Sequence, residues 1–328
     1  GYMMIKTLLR VFVIAVLLIM VFFVGTGFTL EPYPTKPITI VHGWGAGGGS
    51  DLATRAISRA AEKELGQPII NENRPGAGGV IAKAYVCNSK PDGYVLGTTA
   101  ISTFVIQPQL RKTPYDPFKD ITDIMAYALY PFGLSVRADA SWNSLEEVIE
   151  YARKNPGKFT YASAGAGTSH HICLERIAMK EGVKLTMVPF KSGPEAVTAV
   201  LGGHTDGTTQ GTSDVVPQIQ AGKMKLLLSF SNKRWAEVPQ VHCILEKGYN
   251  FCVLSHQSLY GPKGIPEYIR EKLETAFKNA MKDPSFKDAM RRLYLEEVYL
   301  SGKEFSDLWK SQYAEVGKVL NALGLVEK

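Results

Sequence analysis

Cysteine is scarce in this chain, and the four present, Cys87, Cys173, Cys243 and Cys252, contain no C-x-x-C and no spacing that suits a zinc site. Structural zinc and thioredoxin-like chemistry are thereby excluded. An excess of one charge is also missing. Lys and Arg number 37 against 31 Asp and Glu, and setting aside Lys6 and Arg10 of the leading segment leaves 35 − 31 = +4, too mild and too scattered for a nucleic-acid surface. No G-K-[ST] occurs, which excludes a P-loop, and neither G-x-S-x-G nor H-E-x-x-H is found. No solenoid repeat and no low-complexity stretch is present. Few enzyme classes survive these absences, and no metal, cofactor or catalytic group is expected.

Long apolar runs are missing except for one. From Val11 to Val24 the chain carries no charge, preceded by Lys6 and Arg10 and followed by Gly25-Thr26-Gly27. A positive start, an apolar middle and small residues at the end read as a cleaved secretory signal over residues 1–30 rather than a retained anchor. The rest therefore belongs outside the cytoplasm, in an oxidising compartment where Cys243 and Cys252 could close a short loop, although buried free thiols serve the pattern equally well. About 300 residues remain, more than one hydrophobic core usually serves.

The patterning divides them into two α/β lobes. Residues 38–42 form an apolar strand, and Asp51 to Leu65 place Leu52, Ala53, Ala56, Ile57, Ala60 and Leu65 on one helical stripe that Gly66 ends. Strands over 68–71 and 94–99 flank a helix over 79–87, an alternation that builds a parallel sheet covered by helices. A similar unit begins near Phe132, with capping boxes at Ser144-Leu-Glu-Glu147 and Ser192-Gly-Pro-Glu195. Its strands fall over 159–163, 186–190 and 224–230, and its helices over 169–180 and 214–221. The tail carries helical stripes over 266–281 and after the box Ser301-Gly-Lys-Glu304. Those stripes need a sheet to cover, so the chain is expected to return near 253–261 and complete the first lobe. The lobes are then 31–132 with 253–328, and 133–252.

Two glycine loops stand out. In "ITIVHGWGAGGGSDLATRAI" five of the seven residues from Gly43 to Gly49 are glycine, and "SAGAGTS" over 163–169 repeats the arrangement in the second lobe. Each loop follows a strand and precedes a helix, at the carboxyl edge where α/β sheets bind ligands. Free N–H groups at a helix start, with the dipole behind them, hold an anion without any basic side chain. Glycines let the ligand reach the backbone. Gly43, Gly45 and Gly48 also satisfy G-x-G-x-x-G, and Glu72 could serve as the distant acid of a dinucleotide site, but Asp51 would sit where the pyrophosphate lies. His170 and His171 are adjacent, about 100° apart on a helix, and His171 reads as a residue lining or capping its loop. Glu146-Glu147 and Glu296-Glu297 read as solvated helix faces.

The blocks "YPTKPITIVHGWGAGGGSD", "ENRPGAGG", "KPDGYVLGTT", "YASAGAGTSHH", "VPFKSGPEAVTAVLGGHTD" and "IQAGKMKLLLSFSNKR" together resemble the solute-binding proteins of tripartite tricarboxylate transporters, the Bug or TctC-like receptors, from about Tyr33 to the end. The resemblance implies a two-lobed type II periplasmic binding protein, a Venus flytrap, working as a monomer. It would capture a small organic carboxylate (a di- or tricarboxylate, an aromatic carboxylate or an acidic amino acid) and deliver it to a membrane permease. It further implies a site built from Trp44, Ala46, Gly48, Ser50 and Asp51 of the first loop, Ser102, and Ser163, Gly165, Gly167 and Thr168 of the second loop with His171. Lys191 and Asp206 complete the implied set. Here the first loop has Gly43-Trp44-Gly45 where the family commonly has proline, phenylalanine, proline. Gly207-Thr208-Thr209-Gln210 replaces a stretch that is usually apolar. The alternative is a secreted hydrolase pairing Ser50 or Ser169 with His171.

Overall fold

The structure, a computed structural model, describes residues 1–4, 32–249, 254–322 and 324–326. Residues 1–35 and 36–328 are separate compact units. Residues 5–31, which hold the apolar run of the signal segment, and Cys252 lie outside the described residues, and among the described residues no helix is long and apolar enough to cross a membrane.

In the larger unit the chain opens with β1 (Ile38–His42), α1 (Gly49–Leu65), β2 (Ile69–Asn73), α2 (Val80–Cys87) and β3 (Val95–Ala100). Short helices α3 (Ser102–Val105) and α4 (Gln107–Leu110) lead to the long strand β4 (Ile121–Tyr130). After a two-residue link come β5 (Gly133–Arg137), α5 (Leu145–Lys154), β6 (Thr160–Ser163), α6 (Ser169–Lys180), β7 (Thr186–Pro189), α7 (Gly193–Leu201), β8 (Gly207–Thr208), α8 (Thr212–Gln220) and β9 (Met224–Ser229). The tail is β10 (Ser255–Pro262), α9 (Glu267–Ala280), α10 (Pro284–Arg292), β11 (Glu296–Ser301) and α11 (Gly302–Ala322).

Two helix-flanked sheets result, with strand orders β11-β4-β10-β3-β1-β2 and β7-β6-β8-β5-β9. Both are mixed rather than purely parallel. β1 runs parallel to β2 and β3, while β10 is antiparallel to β3 and β4; in the second sheet β6 is parallel to β7 and β8, and β5 is antiparallel to β8 and β9. The antiparallel members are the strands that pass between the sheets or return from the tail. They enter without a βαβ crossover and so escape its parallel constraint.

Local chemistry explains the elements near the cleft. α1 buries Ala53, Ile57, Ala60, Ala61 and Leu65 and stops where Gly66 takes a left-handed conformation, φ 67°, and returns its N–H to the Glu62 carbonyl. Leu52, expected on that stripe, lies outside it and is exposed, because the buried face is centred one residue on. At the three capping boxes Ser144, Ser192 and Ser301 accept from the N–H groups of Glu147, Glu195 and Glu304. Glu296 and Glu297 lie on edge strand β11, not on a helix; Glu296 pairs with Lys233 at 2.8 Å, and such charges suit an exposed sheet edge.

The tail packs onto the first sheet. Phe305 and Trp309 of α11 meet Phe104 of α3 with ring centroids 5.4 Å apart in each case, and Trp309 Nε1 donates to Asp123 of β4 at 2.9 Å. Fully burying an aromatic of this size contributes about 1.5–3 kcal/mol, enough for a few such anchors to hold the tail in place.

Candidate functional site

Four helices begin around one cavity of about 60 Å³. From β1 the chain turns through the first glycine loop into α1. Gly45 donates to the Lys191 carbonyl at 3.1 Å, and a Cβ on Gly45 would come 3.1 Å from Ser192 Cβ, so the halves cross closely here and any side chain would press on Ser192. The second loop leads from β6 into α6 and is held from the other half by Gln107, which donates to the carbonyls of Ala166 and Gly167 at 2.7 and 3.0 Å. α7 starts at Gly193 behind its Ser192 cap, and α8 supplies Asp214 from its first turn. The cavity therefore meets the positive ends of several helix dipoles.

Polar atoms without partners point to what the cavity holds. Ser102 Oγ, Ser169 Oγ, Gln210 Nε2 and His170 Nδ1 are buried, line the cavity and have no hydrogen-bond partner among the described residues. Each such atom costs roughly 1–3 kcal/mol unless something pairs with it. Among the described lining residues none is Lys or Arg. The lining is also aromatic: Trp44, Tyr130 and Phe132, the last two stacked with centroids 4.8 Å apart, and Phe132 in turn 4.1 Å from the His170 ring.

Burial sets the protonation of the site. It holds His42 neutral with a pKa of about 4, against the opposing pull of the Asp51 charge, and lowers His170 to about 3 with help from the neighbouring His171. Burial raises Asp51, but hydrogen bonds from Arg55, the Gly47 amide and Asn73 outweigh it and keep the carboxyl below its ordinary value. Asp51 is thus a loop brace, accepting from Gly47 N at 3.0 Å, Arg55 Nε at 3.0 Å and Asn73 Nδ2 at 2.9 Å. Asp214 is different. Burial pushes it to about 7 although Tyr130 and the Gly49 amide donate to it, and no ion pair among the described residues includes it.

Of the residues named from the sequence, the structure brings Trp44, Gly48, Ser50, Asp51, Ser102 and Thr168 to the cavity. Ala46 is exposed on the outer side of its loop. Ser163 is fully buried beneath the second loop, its hydroxyl 3.4 Å from that of Thr168. Gly165 and Lys191 line an adjoining, more open cleft of about 520 Å³ shared with Trp44 and Arg111. Gly167 of the loop and His171 of α6 do not line the cavity and bond to each other, Gly167 N donating to His171 Nδ1 at 3.0 Å. Asp206 does not reach the cavity. Its Oδ2 accepts from Thr160 N and Thr160 Oγ1, both at 2.8 Å, at the opposite end of β6 from the loop, ~10 Å away for a four-residue strand.

The Ser–His pairing also differs from the alternative considered above. Ser50 Oγ lies 2.9 Å from His42 Nε2, while His171 is committed to Gly167. Residues absent from the sequence-based set are His42, Tyr130, Phe132, His170, Ser192, Gln210, Asp214 and Gln257. Two signals pointed toward some of them: the capping box that starts α7, and the polar run ending at Gln210.

Residues 53–325 match the family described as tripartite tricarboxylate transporter family receptor. The UPF0065 protein of the gbd 5' region of Cupriavidus necator is 36% identical over 297 residues, covering 90% of each chain. BugT of Bordetella pertussis is 26% identical, covering 79% of this chain and 80% of its own. Among solved structures, the periplasmic binding protein BugD superposes with a TM-score of 0.84 at 29% identity, covering 90% of this chain and 100% of the other. MatC from Rhodopseudomonas palustris, solved with bound malate, gives 0.81 at 27% identity over 88% of this chain and 100% of its own. A further R. palustris protein, solved with adipate, gives 0.83 at 26% over 90% and 99%.

Proposed function

Because this chain belongs to the tripartite tricarboxylate transporter family of receptors, we propose that it captures a small organic carboxylate between its two sheets and hands it to a membrane permease. The observation that carries this reading is the cavity itself: helix starts from both halves converge on it, and buried neutral donors line it with no Lys or Arg among the described lining residues. A carboxylate oxygen placed there exchanges its water for N–H and O–H donors already fixed in position. The ligands of two related structures, malate and adipate, belong to the same chemical class.

In this reading Ser50, Ser102, Thr168 and Ser169 supply hydroxyls, Gln210 an amide, and the turns beginning α1 and α6 supply main-chain N–H groups. Trp44 walls the mouth. Closure is a hinge motion at the segments that leave the second sheet, near 131–132 and 230–249, and ligand selects the closed population. The protein acts as a monomer in the periplasm after loss of its signal segment.

Calorimetry and thermal shift against a panel of carboxylates test the proposal on protein refolded free of endogenous ligand. At a hundredfold excess over Kd a true ligand stabilises the fold by about 2.7 kcal/mol. A folded, ligand-free sample that responds to no member of the panel would falsify it.

A further inference from the structure

Resting on the carboxylate reading, we infer that the ligand also carries a protonated amine, that Asp214 receives this amine, and that the site thereby prefers an amino-carboxylate to a bare dicarboxylate.

The cavity is lined by two unlike kinds of group. Around Ser102, Ser169 and Gln210 it offers unpartnered donors, which suit an anion. At Asp214 it offers a carboxylate held by neutral donors only: the Tyr130 hydroxyl, 3.2 Å from Oδ2, and the amide of Gly49. The other lining carboxylate, Asp51, has Arg55 as its counter-ion, with Nε 3.0 Å from Oδ2. Asp214 has none among the described residues, and no Lys or Arg among them lines the cavity. A dicarboxylate would bring a second negative charge toward that unpaired acid. An ammonium would neutralise it.

The surroundings fit a cation as well. Tyr130, whose hydroxyl reaches Asp214, lines the cavity together with Phe132, and aromatic rings attract ammonium groups once water is removed. The carboxylate also packs closely on the start of α7, where a Cβ on Gly193 would run into it. The other titratable groups facing the cavity are settled at neutral pH: His42 and His170 neutral with pKa values of about 4 and 3, Asp51 ionised, and Tyr130 raised far above neutrality by burial. Asp214, at about 7, is the group left to respond to a ligand's charge.

The test is calorimetry on the ligand-free protein and on Asp214→Asn with size-matched pairs: 4-aminobutyrate against succinate, β-alanine against malonate, and alanine against lactate. The wild type is expected to bind at least one amine member ten or more times tighter than its partner, and Asp214→Asn to reduce that ratio at least tenfold. If dicarboxylates bind the wild type as tightly as the amines and the variant leaves the ratio unchanged, the inference fails while the carboxylate reading stands. If no member of either class binds, both fail. The wild type alone gives a second readout should the variant not fold. Titrations at pH 7 in buffers of different ionisation enthalpy should show proton release on binding the amine, because ammonium keeps Asp214 ionised, and proton uptake on binding a dicarboxylate. Equal proton counts for the two classes overturn the inference.

Discussion

Tyr130 donates its phenolic hydrogen to Asp214 Oδ2 at 3.2 Å, joining the last residue of the longest strand in the first sheet to the first turn of α8 beside the second. The same oxygen pairs with Ser213, so two polar contacts cross between the halves at one phenol. Tyr130→Phe keeps the ring stack on Phe132 and removes both. Of the two, only the bond to Asp214 has a charge-bearing partner, and such a bond contributes about 1.5–3 kcal/mol, so ligand affinity should fall roughly ten- to a hundredfold with little loss of fold. Calorimetry with whichever carboxylate binds the wild type decides; an unchanged Kd removes this phenol from the closure mechanism.

Gly49 tests closure from the opposite side. It begins α1, where a Cβ would run into Ser213 Oγ and the Tyr130 hydroxyl. As an ordinary helix residue Gly49→Ala should favour the isolated helix by about 0.5–1 kcal/mol. Across the cleft it acts as a wedge. Because Tyr130 belongs to the same half, the clash there offsets the helix gain, so the expected signature is an effect larger on binding than on folding: unfolding of the free protein shifted by no more than about 1 kcal/mol, ligand affinity lowered at least tenfold. A variant that binds normally would show that the halves need not approach this closely.

These contacts mark the limit of what the sequence discloses. The glycine loops, their following helices and the capping boxes are local, so spacing and residue type expose them, and Trp44, Ser50, Asp51 and Thr168 could be placed at a cleft from the sequence. Asp214 could not, because it reaches the cavity only once Gly49 and Gly193, 165 and 21 positions earlier, are folded against it. β4 escaped notice for a related reason: Ile124 to Ala128 are buried without alternation, since helices cover both faces of the sheet there. Asp206 misleads in the opposite way, as an acid near the right strand whose carboxylate is spent on Thr160.

His42 predicts an acid-side cost. In the folded chain burial keeps it neutral down to about pH 4, whereas in the unfolded chain it takes a proton near 6.5. Between those values the unfolded state binds more protons, so stability falls as pH drops through the window, by about 1.4 kcal/mol per unit for this group. His170 and His171, lowered to about 3 and 4, act in the same direction; Asp214, raised to about 7, opposes them. Urea unfolding of His42→Gln from pH 6.5 to 4.5 should give a slope shallower than the wild type by that amount. Parallel slopes would mean that His42 is open to water in the folded protein.

Lys83 sets two effects against each other inside the first core. Its side chain is fully buried on α2, Nζ has no hydrogen-bond partner among the described residues, and it lies 2.8 Å from the Phe104 centroid, with Tyr260 at 4.9 Å and Tyr115 at 5.4 Å. Attraction to the rings contributes about 2 kcal/mol when the ammonium is desolvated, whereas removing that ammonium from water costs several. Desolvation wins, and burial pulls the pKa far below the usual lysine value although Cys87 and Asp123 pull it upward. The folded state then sheds this proton while the unfolded state keeps it, so the penalty is complete at low pH and fades as pH climbs toward the ordinary lysine range. Lys83→Met fills the same space without a charge. It should raise stability at pH 7 by about 1–3 kcal/mol and flatten the rise of stability between pH 7 and 10. If instead the variant is less stable than the wild type at pH 7, the aromatic contacts outweigh desolvation and the lysine is a cation held by its cage.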